Sequence, residues 1–78
     1  MKVYFVADEG FDLIEAEAFL LEGFIEEGEV PEVTAIEADR ETAERVARRD
    51  DPALVLDVFE LDYDGQMTLA EIRLFFGC

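Results

Sequence analysis

The stretch "FELDYDGQMTLAEI", Phe59 to Ile72, admits two folds. Read as two extended arms around Asp64-Gly65 it is a β-hairpin, because Asp and Gly tolerate the positive φ that a two-residue primed turn demands. Read as acids at alternate positions before a glycine, it is a loop between two helices. The choice sets the last third of the chain.

The hairpin is favoured by the β-branched and aromatic content of residues 54 to 63. Its register follows from the turn. Tyr63 would pair with Gln66, Leu61 with Thr68, Phe59 with Ala70 and Val55 with Leu74, giving one apolar face and one half-wet face. The helical propensity of "TLAEIRLFF" is the point against it.

In the alternative, Glu60, Asp62 and Asp64 take the first, third and fifth positions of a twelve-residue loop, and Gly65 the sixth. Gln66, Met67 and Thr68 follow, and Glu71 stands twelfth. This spacing resembles an EF-hand loop, over roughly a third of the chain. The resemblance implies calcium held by Glu60, Asp62, Asp64, the Gln66 carbonyl, Thr68 through water, and Glu71 as bidentate ligand. Three features weigh against it. The first ligand is Glu60 rather than Asp, Pro52 leaves about two turns for the entering helix in a Val-rich segment, and no second loop exists to pair with.

Upstream, "KVYFVA" (residues 2 to 7) predicts a largely buried first strand. Asp12 with Glu15 three residues on predicts the start of a helix that runs to Glu27, with Gly28 and Pro31 beyond. A second strand is expected over 32 to 39. A short helix from Arg40 to Arg49 follows, N-capped by Asp39, with Ala43, Val46 and Ala47 on its apolar face and arginines in its last turn. The expected fold is α+β, one domain over residues 1 to 78 in the order β-α-β-α-β-β, with a C-terminal hairpin and the helices packed on one face of the sheet.

Composition bounds the function. The chain has 21 Asp and Glu against six Lys and Arg, a net charge of -15. Such a field repels nucleic acids and anionic membranes and attracts basic proteins, including those that bind nucleic acid. There is no His, Ser, Asn or Trp. Histidine-dependent nucleophiles and histidine zinc sites are therefore excluded, and a non-enzymatic protein without cofactor is expected. The lone cysteine, Cys78, cannot form an intrachain disulfide, and no apolar run approaches a membrane span or a signal-peptide pattern, so a cytoplasmic protein is expected.

On a helical wheel of the first helix, Ile14, Ala18, Leu21 and Ile25 fall together, with Leu13, Leu20 and Phe24 beside them, and form the expected buried stripe. Glu15, Glu22 and Glu26 cluster on the far side with Phe19 at their edge. Glu26 and Glu27 sit at the negative end of the helix dipole with no cation near, a pattern that stability does not reward. Two readings account for it: a solubilising face with one stray exposed Phe, or a docking surface with Phe19 as apolar anchor and glutamates facing a partner's lysines and arginines. Glu60, Asp62 and Asp64 would extend that surface from the hairpin. Glu17 projects into the apolar arc and is expected to pair with an arginine. Residues 40 to 49 form the one basic element, expected against acidic neighbours.

In size, acidity and lack of catalytic residues the chain resembles small phage-type inhibitors, such as acidic anti-CRISPR proteins and DNA mimics, and nuclease immunity proteins have a similar profile. No motif carries this resemblance. It implies a stoichiometric blocker that occupies a basic partner's nucleic-acid groove by electrostatic competition.

Overall fold

A computed structural model describes residues 1–22, 30–49 and 55–78. The order is β1 (Lys2–Asp8), α1 (Leu13–Glu22), β2 (Ala35–Glu37), α2 (Arg40–Arg49), β3 (Leu56–Asp62) and α3 (Leu69–Phe75). The α+β class holds. The three strands form one antiparallel sheet in the order β2-β1-β3.

β1 takes the centre because it is apolar on both sides. Val3, Phe5 and Ala7 point to one face and Val6 to the other, and all four are buried. Phe5 is opposed by Ile36 of β2 and Phe59 of β3, and Val3 by Leu61. Val6 lies between Ala35 and Val58 on the reverse face. At its far end the β1–β3 ladder continues with the Tyr63 N–H donating to the Met1 carbonyl at 2.8 Å.

Because both faces of β1 are apolar, both need cover, and the helices divide between them rather than packing on one face as expected. α1 and α3 cover the Val3–Phe5 side, where Ala16, Phe19, Leu20, Ile72 and Phe76 join the main core. α2 covers the Val6 side with Ala43 fully buried. Its Asp39 cap is as expected: the Thr42 N–H donates to Oδ1 at 3.0 Å and the Thr42 hydroxyl to Oδ2 at 2.7 Å. These bonds hold the Asp39 carboxyl below its usual range.

The C-terminal hairpin is not formed. Its first arm is a strand, but β3 pairs with β1 instead of folding back on residues 66 to 74, and residues 69 to 75 are helical. The reason is local. Thr68 and Glu71 make a complete capping box, the Glu71 N–H donating to Thr68 Oγ1 at 3.2 Å and the Thr68 N–H to Glu71 Oε1 at 2.9 Å. The turn also lacks the expected handedness, since Gly77 has the one positive φ among the described residues. Gly65 is needed for space: a Cβ there would lie 2.7 Å from Cε1 of the buried Tyr63 ring. That ring's hydroxyl oxygen accepts from the Met67 N–H at 3.2 Å.

α3 is tied to the short edge strand β2 by Arg73, whose Nε–H donates to the Ile36 carbonyl at 2.9 Å and whose Nη2 reaches Glu37 at 3.2 Å. β2 covers three residues rather than eight. The Asp39 cap claims the chain from one side, and Thr34, a bend, precedes it from the other.

Leu20 is buried and Leu13 packs against the core as expected, but the buried side of α1 is turned by roughly a third of a revolution from the expected phase. Phe19 is 7% exposed and packs on Phe75 and Phe76 at ring-centroid distances of 4.5 and 5.2 Å. Ile14 and Leu21, expected in the core, stand 80% and 63% exposed. Apolar residues surround this helix, so its phase is set by what it packs against, and α3 supplies two phenylalanines that a hairpin would have placed elsewhere. Asp12 caps α1 as expected, accepting the Ile14 N–H at 3.0 Å. The expected extension to Glu27 lies outside the described residues.

Candidate functional site

The expected acidic surface divides in two. Residues directly opposed in an antiparallel pair share a face, so Glu60 and Asp62 lie with their partners Tyr4 and Lys2 on the α2 side of the sheet. Glu15 and Glu22 ride on α1, on the other side. They do not form one surface.

Glu60 is not a free carboxylate. Lys2 Nζ donates to its Oε2 and Arg40 Nη2 to its Oε1, each at 3.1 Å, while the Arg40 guanidinium lies 5.4 Å from the Tyr4 ring centre. The hydrogen bond from Lys2, then that from Arg40, holds the Glu60 carboxyl below its usual range, and Glu60 in turn raises Lys2. The basic helix thus meets an acidic neighbour, as its charge predicts. Asp62 and Asp64 remain exposed.

The six positions of the EF-hand reading do not converge. A calcium loop curls so that alternate side chains point to one centre, whereas a strand advances about 3.3 Å per residue and carries Glu60 and Asp62 along a line. Glu60 is ion-paired and Glu71 is held by Thr68, whose bonds lower the Glu71 carboxyl. Tyr63 turns into the core instead of outward. Among the described residues no three Asp, Glu or Cys side chains are placed to hold one metal ion.

On α1, Glu15, Glu17 and Glu22 are exposed. Phe19 is a core residue and cannot anchor a partner, and Glu17 does not enter the apolar arc; Arg73 pairs with Glu37 instead. Glu26 and Glu27 lie outside the described residues. A groove of about 280 Å³ opens where β1 meets α1, with Asp8, Asp12, Glu15 and Glu32 around Phe11 and Pro31. Asp8 accepts the Gly10 N–H at 2.9 Å. Glu32 reaches this group through the return of the chain to β2, a placement for which the sequence carries no local signal.

Among the described residues only Glu37 and Glu60 pair with a cation, and the segments 23–29 and 50–54 contain no Lys or Arg. Among those residues, too, no helix is long and apolar enough to cross a membrane. No protein-family model matches the chain, and comparison with known proteins and with solved structures found no significant match.

Proposed function

We propose that this chain is a non-catalytic acidic binding protein that occupies the nucleic-acid groove of a basic partner. The observation that carries this reading is charge density. A net charge of -15 over a long axis of 34 Å is about one charge per 2.3 Å, close to the roughly one per 1.7 Å of duplex DNA. Most of the carboxylates among the described residues pair with no cation there, so their charge is presented outward. Partner contact falls to Glu15 and Glu22, with Glu26 and Glu27 next in sequence, to Asp62 on the other side, and to the exposed Asp64 past the end of β3. Phe19 and Glu60 leave that set. The mode of action is that of the small anti-CRISPR and DNA-mimic inhibitors it resembles in size and charge.

Competition tests this. A lysine- and arginine-rich DNA-binding domain loaded with labelled duplex should release it stoichiometrically at low salt when the chain is added, and the effect should fade steeply as salt rises. Release that ignores salt, or none, would defeat the reading.

A further inference from the structure

Helix α1 is apolar on two sides. Its inward side, Ala16, Phe19 and Leu20, is buried. On its outward side Ile14 and Leu21 are exposed, with the half-buried Ala18 between them. Positions i, i+4 and i+7 fall on one stripe of a helix. Glu15 and Glu22 border that stripe on one side and Glu17 on the other, and none of the three pairs with a cation among the described residues. One exposed aliphatic side chain is ordinary, but two on a common stripe rimmed by a single sign of charge form a docking pattern.

We infer that the Ile14–Ala18–Leu21 stripe is the docking line for a basic amphipathic helix of the partner. The partner's apolar residues seat on Ile14 and Leu21, and its lysines and arginines reach Glu15, Glu17 and Glu22. The inference rests on the proposed binding of a basic protein and adds the element that is recognised. Charge selects the occupant. A second copy packed α1 to α1 would set these glutamates against their equivalents in molecules of net charge -15 each, and an anionic bilayer meets the same repulsion.

The test uses the full chain and two labelled peptides of identical Leu and Lys composition. One places its leucines at i, i+4 and i+7, and the other spreads them around the helix. The first should bind at least about tenfold tighter. The variant I14S/L21S should lose that preference while melting as wild type does, and E15Q/E17Q/E22Q should weaken both peptides. The single variants I14S and L21S read the same loss should the double variant melt early. Unchanged preference in I14S/L21S and in the two single variants overturns the docking line and leaves the acidic-binder reading standing. Binding of neither peptide at low salt overturns both. A wild-type dimer that I14S/L21S converts to monomer assigns the stripe to a second copy and also overturns the inference.

Discussion

The ring of Phe19 lies 4.5 Å from that of Phe75, tilted by 32°, and this contact joins α1 to α3 over the central strand. It fixes which side of α1 faces the sheet. Phe19→Ala should therefore cost about 3 to 5 kcal/mol, a large share of the roughly 4 to 12 kcal/mol available to a chain of this size. Ile14→Ser and Leu21→Ser should each stay within about 0.5 kcal/mol of wild type. Urea unfolding of the three variants checks the phase, and the reverse ranking would restore the opposite face.

Gly65 leaves room for the Tyr63 ring. Gly65→Ala sets a Cβ against a side chain that is 5% exposed and bonded to the Met67 N–H, so the ring must shift. A loss of about 1 to 3 kcal/mol is expected, with Tyr63→Phe costing about 0.5 to 1.5 kcal/mol through the orphaned N–H. Thermal melts decide whether Gly65→Ala is the costlier of the two.

The Thr68–Glu71 box gives a pH signature. Bonding to Thr68 lowers the Glu71 carboxyl from its ordinary 4.5, so its contribution is fully present above that pH. It is lost as pH falls through the lowered value. Glu71→Gln can still accept the Thr68 N–H but does not titrate. The stability gap between wild type and Glu71→Gln should shrink as pH drops from 5 toward 3, and a gap that widens would contradict the cap.

Salt should stabilise this protein. Of the three ion pairs among the described residues, those of Glu60 are exposed and that of Arg73 with Glu37 is half-buried, so salt weakens them only modestly, whereas screening relieves repulsion among the carboxylates of a chain with net charge -15. Raising sodium chloride from low to near-molar concentration should lift Tm by several degrees. A fall in Tm would mean that the ion pairs outweigh the repulsion.

Calcium and magnesium should act alike. Both screen charge, and the strand that carries Glu60 and Asp62 does not curl into a loop. A Tm rise of several degrees in millimolar calcium that magnesium does not reproduce would show a specific site.

Where two local signals coincide, the chain is legible without its structure. β1 and α2 follow from strand-forming composition before a turn and from a cap with a short apolar face. The Leu69–Phe75 helix had its signal too, in Thr68 and Glu71 three residues apart, but Asp64-Gly65 beside a Val-rich arm competes with it. The two readings of that stretch were each half right, since a strand enters and a helix leaves. Of the acidic site, the exposure of Glu15, Glu22, Asp62 and Asp64 followed from composition. The ion pairing of Glu60 did not, because Lys2 and Arg40 are 58 and 20 residues away.

By itself the sequence determined the charge, the catalytic groups that are absent, and the elements whose caps and periodicity agree. Tertiary structure decided which strand β3 joins, how the helices divide between the two faces, and which side of α1 is core. Those choices are nearly degenerate locally: a helix with apolar residues all round can bury either side, and an extended arm can pair with any edge. Only the buried aromatic contacts of Phe19 and the two-sided burial of β1 distinguish them. So Glu60 and Asp62 came to lie along a strand with Asp64 past its end, and Ile14 with Leu21 came to face the solvent.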